Sequence, residues 1–152
     1  MNIIIERASE DDAIEIIKVR NKSFYEDFLD FGECPGYNIS IDEMKKKIQK
    51  FVIYKISVDG KIIGDISIDI RENYFWIGCL EIIPEFQNFG IGTEVLKFIE
   101  EKHPEAKIWG LETPAQNYRN CCFYEKMGFV KVKDTQQSEK ITLRTYEKIN
   151  KN

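Results

Sequence analysis

The sequence predicts one α/β domain, built on a single mixed, mostly antiparallel sheet of about seven strands with helices on both faces. Apolar residues alternate with a period of two in the middle of the chain and keep helical spacing elsewhere. No repeat, low-complexity tract or linker divides the 152 residues, a length that suits one domain over residues 1–152. The predicted order is β-α-α-β-β-β-α-β-α-β-β, in which strands and helices share one core.

The first third of the chain predicts one strand and two helices. A strand at 2–9 precedes a cap pattern of Ser9 and Asp12, and apolar helical spacing follows through Phe28. Glycine and proline predict a loop at 31–38. Ser40 and Glu43 then match a capping box that opens a second helix, from about Ile41 to Lys50.

The middle of the chain predicts three consecutive strands. Two alternating segments, 51–58 and 61–70, flank Asp59-Gly60, which is a strong hairpin signal. The third strand covers 74–83 and stops at Pro84, since proline cannot donate a ladder hydrogen bond.

The last third predicts two helices and three strands. A helix runs from about Gly90 to Lys102, and Gly128 closes a second helix at 117–127. The predicted strands lie at 107–113, 129–133 and 140–148.

Composition excludes several classes of protein. The net charge of −4 disfavours nucleic acid as a partner, and the N-terminal apolar run of Ile3 to Ile5 is too short for a signal or a membrane span. We therefore expect a soluble cytoplasmic protein that binds no membrane. We also expect no metal site, because the four cysteines form no C-x-x-C pair and have no histidine at ligand spacing; they are Cys34, Cys79, Cys121 and Cys122.

The stretch FQNFGIGTEV, residues 86–95, lies between a strand end and a helix start. Glycines there let an anion reach the free amides of the first helical turn, although a plain strand-to-helix turn also fits. A Rossmann fingerprint would need a third glycine where Val95 stands. A P-loop would need Lys-Ser/Thr where Thr93-Glu94 follows Gly92.

Two separated segments resemble motifs of the Gcn5-related N-acetyltransferase (GNAT) family. LEIIPEFQNFGIGTEVL is similar to motif A, which has Q/R-x-x-G-x-G/A after an apolar strand. LETPAQNYRNCCFYEKMGF is similar to motif B, in which an Asn precedes a Tyr by seven residues and E-K-x-G-F follows. Here these are Asn117, Tyr124 and the run to Phe129. The order of elements also matches that family's acyl-CoA N-acyltransferase fold, so the resemblance covers essentially the whole chain.

The resemblance implies acetyl-CoA as the acetyl donor. In the family, loop amides hold the pyrophosphate, and the pantetheine arm lies between two strands that splay apart. Asn120 stands where the family often has Ala, so it is either a cofactor contact or a tolerated substitution. The implied cofactor-binding residues are Ile82, Ile83, Gln87, Asn88, Phe89, Gly90, Ile91, Gly92, Thr93, Asn117, Asn120 and Tyr124.

The same resemblance implies an N-acetyltransferase that works by direct transfer in a ternary complex. Tyr124 is the predicted general acid, because a phenol with a pKa of about 10 stays protonated and can donate to the departing sulfur. Glu112 and Glu81 are the candidate bases. Glu112 is favoured because LETPAQN resembles the L-E-V-x-A-x-N of the ribosomal-protein N-acetylating branch. The alternative is a protein of the same fold that senses acyl-CoA without turnover.

Two further residue types have a weaker connection to the chemistry. The adjacent Cys121 and Cys122 suggest a covalent acetyl-cysteine route, but the family transfers directly. His103, the only histidine, ends the third predicted helix away from both motifs, so we expect it at the surface.

The acceptor is predicted to be a small-molecule or peptide amine. In this fold acceptors meet the first two helices, their loop and the last hairpin, where aromatic and acidic residues would suit an amine or a polyamine. The structural alternative is that the aromatic residues belong to the core and the acidic residues are exposed to solvent. A homodimer is possible because the family often forms one. The candidate acceptor-binding residues are Tyr25, Glu26, Phe28, Tyr37 and Trp76.

Overall fold

The computed structural model of the chain describes residues 1–31 and 37–150, with the side chains of 26–31 outside the description. Within these described ranges, seven strands form one sheet in the spatial order β1-β2-β3-β4-β5-β7-β6. Every neighbouring pair is antiparallel except β4 and β5, which are parallel. This confirms the predicted sheet. The strands are β1 Ile3–Arg7, β2 Val52–Val58, β3 Lys61–Arg71, β4 Tyr74–Ile82, β5 Ile108–Pro114, β6 Val130–Gln136 and β7 Thr142–Ile149.

In the part of the chain that the structure describes, four α-helices cover the sheet on both faces, as predicted. One apolar cluster joins the first two helices to Ile53 of β2, and a larger cluster joins the last two to the opposite face of the sheet. Successive strand residues point to opposite faces, so Ile53 and Tyr54 supply the two clusters in turn. The helices are α1 Ala13–Phe31, α2 Ile41–Lys50, α3 Ile91–Lys102 and α4 Tyr118–Lys126.

Local caps set the helix starts close to the predicted positions. The amide of Ser9 donates to Oδ2 of Asp12 at 2.8 Å, which closes a short 3-10 turn before α1. The hydroxyl of Ser40 accepts from the amide of Glu43 at 3.1 Å and opens α2. Because Ser9 belongs to the cap, β1 ends at Arg7 and is shorter than the predicted strand.

The last hairpin is longer than predicted. β6 continues to Gln136, which pairs with Thr142 of β7, so half of the polar segment expected between the strands belongs to the sheet. A register shift at Lys131/Lys133 interrupts the alternation in β6, and every residue of this edge strand is exposed. The alternation of apolar and polar residues in the sequence therefore stops before the end of β6.

Candidate active site

A gap between β4 and β5 creates the space for the site. The two strands pair only from Tyr74 with Ile108 to Ile77 with Leu111. Beyond this point β4 stays paired with β3, and β5 stays paired with β7. Gly78 has no partner in the register between β3 and β4, which marks a bulge in β4. This bulge directly follows the last residue of β4 that pairs with β5. In the described part of the chain, the inner edges of both strands therefore have no strand partner beyond the fork.

The glycine loop follows directly from the open end of β4. The side-chain amide of Gln87 donates to the carbonyl of Ile82 at 2.9 Å and ties the loop to the strand. Asn88 and Gly90 have φ angles of 69° and 78°, and α3 then begins at Ile91. The amides in the first turn of a helix have no acceptor within that helix, so this turn presents donors and positive dipole charge to an anion.

The two glycines have different structural reasons. Gly90 has a φ of 78° with open space around its missing Cβ, so its requirement is conformational. A Cβ on Gly92 would lie 3.0 Å from Cζ of Phe123 on α4, so its requirement is helix packing. The two glycines predicted to admit an anion therefore each have a reason within the fold itself.

A cavity of about 590 Å³ lies along this fork and loop. Two predicted cofactor residues are not among those that line it. Ile83 is buried in the core, with its amide donating to the carbonyl of Ile63, and Phe89 points outward with 61% of its surface exposed. The predicted residues that do line the cavity are Glu81, Ile82, Gln87, Asn88, Gly90, Ile91, Gly92, Thr93, Asn117, Asn120 and Tyr124.

The two asparagines of the second motif position α4 against this cavity. Oδ1 of Asn117 accepts from the amide of Asn120 at 3.1 Å and caps the helix. Nδ2 of Asn120 donates to Oγ1 of Thr113 on β5 at 3.2 Å. Asn120 therefore links α4 to the splayed strand, a role that its helical position alone did not reveal.

Tyr124 is 7% exposed and lines the cavity from α4. Its ring packs against those of Phe123 and Phe129, with centroids 5.2 and 5.6 Å away. Its hydroxyl makes no hydrogen bond to any described residue, so the ring is held by packing and the phenol oxygen is uncommitted. Burial, with the nearby charges of Glu81 and Cys79, raises the pKa of Tyr124 above the usual range of a phenol.

The two candidate bases lie in different places. Glu81 lines the cavity, and its charge contributes to the raised pKa of Tyr124. Glu112 is exposed on β5 opposite Thr145 and is not among the residues that line this cavity. The structure therefore brings Glu81, and not Glu112, to the same space as Tyr124.

A buried ion pair that the sequence did not reveal lies next to Glu81, on the neighbouring strand. Nη2 of Arg20 is 2.7 Å from Oδ2 of Asp65, and the Arg20 Nε is 3.2 Å from both carboxylate oxygens. Asp65 is opposite Glu81 in the register of β3 and β4. Burial opposes the charge of Arg20, but Asp65, Cys79 and Glu81 together raise its pKa. The two partners are separated by 45 residues, which leaves no local signature.

Two cations on α4 also line the cavity, and sequence reasoning missed them. Arg119 and Lys126 are exposed and seven residues apart, which places them on one face of the helix. Neither makes an ion pair with a described residue. Their spacing of seven residues was the signal that could have identified them as two cations on one face of the helix.

A second cavity, of about 370 Å³, lies on the face of the sheet covered by α1 and α2. Trp76, a predicted acceptor residue, is part of its wall. The described residues that line it are Arg20, Phe24, Lys47, Phe51, Ile53, Ser67, Asp69, Arg71, Trp76, Gly78 and Cys79.

The other predicted acceptor residues are not in that wall as described. Tyr25 is exposed, and its ring centroid lies 6.2 Å from that of Tyr37. The side chains of Glu26 and Phe28 lie outside the described residues, as does Cys34.

The expectation of a surface role for His103 is wrong. Its side chain is 12% exposed, and its Nε2 is 2.9 Å from the hydroxyl of Tyr54. Its ring also packs against Phe75 and Trp109, because strands from distant parts of the chain converge at the end of α3. It does lie at the helix end, as predicted.

The paired cysteines of α4 have different environments. Cys121 is buried, with its sulfur 3.8 Å from the carbonyl of Pro114, whereas Cys122 is exposed and lines the first cavity. Among the described residues, no group of His, Cys, Asp and Glu is arranged to hold a metal ion. None of the helices that those residues form has the length and apolar character to cross a membrane.

The family model described as Acetyltransferase (GNAT) family matches residues 13–129. The protein UPF0157 YqkA of Bacillus subtilis is 23% identical over 136 residues, which is 88% of this chain. This chain spans only 39% of the length of that relative.

Two solved structures illustrate the likeness of fold. The PaiA N-acetyltransferase of Thermoplasma acidophilum, in complex with coenzyme A, has a TM-score of 0.81 at 22% identity, covering 98% of this chain and 99% of that one. The ribosomal-protein-S18-alanine N-acetyltransferase of Escherichia coli has a TM-score of 0.76 at 11% identity, covering 99% and 96%.

Proposed function

Because this chain belongs to the acetyltransferase (GNAT) family, we propose that it moves the acetyl group of acetyl-CoA to a primary amine by direct attack in a ternary complex. One observation carries the proposal. The uncommitted hydroxyl of Tyr124 lines the same cavity as Glu81, the open edge of β4 and the first turn of α3.

The residues of the first cavity fit coenzyme A. The open edge of β4 offers backbone groups to an amide-bearing pantetheine arm, and the first-turn amides of α3 suit a pyrophosphate. Arg119 and Lys126 add two cations for further phosphate charge. The bound group supplies an activated thioester carbonyl with a thiol as its leaving group.

Tyr124 is the proposed general acid. Its raised pKa keeps the proton on its hydroxyl throughout the physiological range, so that it is available to a departing sulfur. The phenol needs to break no hydrogen bond to a described residue before it donates. Asn117 and Asn120 hold the start of α4, which fixes where the phenol lies along the cavity.

Glu81 is the proposed general base, in place of the sequence-favoured Glu112. An acceptor amine must lose a proton to attack, because its unperturbed pKa lies near 10. Glu81 can accept that proton directly or through water from within the cavity. Glu112, on the outer part of β5, has no such position.

A panel of primary amines tests the function. Each amine is incubated with the protein and acetyl-CoA, and free thiol release is followed together with the mass of the acetylated product. We expect at least one amine to accelerate thiol release and to gain one acetyl group. Coenzyme A binding in calorimetry without any amine-dependent release would instead identify a sensor of the same fold.

A further inference from the structure

The second cavity adjoins the first at the proposed base. Gly78 and Cys79 of β4 line the second cavity, and the next two residues, Leu80 and Glu81, line the first. On α1, Ser23 and Phe24 divide between the two cavities in the same way. A molecule in the second cavity therefore has one end close to the place where the amine would be acetylated.

Among the residues that the structure describes, more cations than anions line the second cavity. Of the described residues that line it, three are cationic and Asp69 alone is anionic. Arg20 is committed to the buried Asp65, and Asp69 accepts from Nε of Arg71 at 3.0 Å. Lys47 has no hydrogen-bonded or ionic partner for its ammonium among the described residues.

Arg71 also keeps donors free. Its only hydrogen bond to a described residue uses Nε, which leaves the two terminal nitrogens of the guanidinium available. Its Cζ lies 5.3 Å from the ring centroid of Trp76, which holds the guanidinium against the wall. Lys47 and Arg71 thus present unused cationic donors to one cavity.

The shape of the second cavity favours an extended molecule. Its wall runs along β3 from Ser67 to Arg71, four residues on, or about 13 Å at roughly 3.3 Å per residue. Cys79 pairs with Ser67 near the proposed base, whereas Arg71 ends β3 at the far side. Phe24, Phe51 and Trp76 contribute aromatic side chains to the wall of this cavity.

Building on the proposed function, we propose that the acceptor is an elongated primary amine that carries a carboxylate at its far end. The amine would lie toward Glu81, an apolar chain along the aromatic wall, and the carboxylate at Lys47 and Arg71. A polyamine, which the sequence also suggested, would place a second ammonium beside these two cations. Like charges at that point oppose its binding.

Three primary amines with an unbranched chain of eight carbons test the charge preference. They are ω-aminooctanoate, octylamine and diaminooctane, which differ only in the group at the far end. We expect kcat/KM for aminooctanoate to exceed that for octylamine about 10-fold, as one charge-assisted contact would give, and diaminooctane to be the poorest.

Matched variants assign the preference to the cavity. Lys47→Gln should lower kcat/KM for aminooctanoate about 10-fold and leave octylamine nearly unchanged. Lys46→Gln removes the same charge from the adjacent, exposed residue of α2 and should change neither. Circular dichroism and coenzyme A binding of each variant establish that the fold is intact.

The results separate this inference from the function on which it rests. Acetylation of diaminooctane or octylamine as readily as aminooctanoate would overturn the inference and leave the N-acetyltransferase intact. Failure of every amine would overturn the function. In that case calorimetric binding of aminooctanoate still decides the inference: tighter binding than octylamine, lost in Lys47→Gln, supports it, and equal binding overturns it.

Discussion

Arg20 of α1 and Asp65 of β3 form a bidentate ion pair beside Glu81, the residue opposite Asp65 on β4, with Nη2 of Arg20 2.7 Å from Oδ2 of Asp65. Both side chains are almost wholly buried. The pair joins α1 to β3, the strand that pairs with β4. Asp65 lies opposite the proposed base, so the same ion pair both stabilises the fold and borders Glu81.

Asp65→Asn should destabilise the protein by about 3–5 kcal/mol, because it leaves the buried Arg20 charge without its partner. Urea unfolding measures the change. Asp69→Asn, which breaks the exposed pair with Arg71, is the matched control and should cost no more than about 1 kcal/mol. Equal losses in the two variants would show that burial of the first pair has no special weight.

Glu81→Gln should lower kcat/KM about 10²-fold, because the amine then has no carboxylate in the cavity to receive its proton. Glu112→Gln should remain close to the parent protein, since Glu112 does not line the cavity. The pH–rate profiles of the two variants make the comparison. A large loss in Glu112→Gln with a normal Glu81→Gln would reverse the assignment.

Gly92→Ala should weaken coenzyme A binding, because its Cβ would lie 3.0 Å from Cζ of Phe123 and this ring, which lines the same cavity, must shift. Calorimetry measures the affinity, and circular dichroism establishes that the fold is intact. Phe123→Leu in the Gly92→Ala background should recover part of the affinity by shortening the opposing side chain. Strictly additive losses in the double variant would exclude this contact as the cause.

The hydroxyl of Tyr74 should have a higher pKa than that of an ordinary tyrosine. Burial and the hydrogen bond to Glu147, at 2.6 Å, raise the pKa of Tyr74 to about 12. A raised pKa adds stability that is fully present below pH ~10, the unfolded value, and is lost as the pH rises through about 12. The difference in urea midpoint between the parent and Tyr74→Phe should therefore be constant below pH ~10 and shrink above it. A constant difference up to pH ~12 would contradict the raised pKa.

Much of the fold was predictable because its signals are local. The period-two segments around Asp59-Gly60 and the caps at Ser9 and Ser40 define elements within a few residues. The end of β6 was not predictable in this way, because pairing with β7 rather than local alternation carries that strand to Gln136.

The predictable and unpredictable parts of the site differ in the same way. The glycine loop and the segment from Asn117 to Tyr124 are contiguous, so their likeness to family motifs was visible in the sequence. The choice between Glu81 and Glu112 was not, because it depends on where β4 and β5 separate. His103 was misplaced for a related reason, since the rings around it come from three strands.

The turnover of Tyr124→Phe tests the proposed mechanism most directly, with Tyr146→Phe as its control. The Tyr124 hydroxyl has no partner among the described residues, so its loss should leave stability within about 0.5 kcal/mol of the parent. The Tyr146 hydroxyl donates to Glu125 at 2.6 Å, so its loss should cost about 1–2 kcal/mol without slowing catalysis. We predict that kcat for an accepted amine falls about 10²- to 10⁴-fold in Tyr124→Phe and stays near normal in Tyr146→Phe. A near-normal kcat in Tyr124→Phe would contradict the assignment of Tyr124 as the acid.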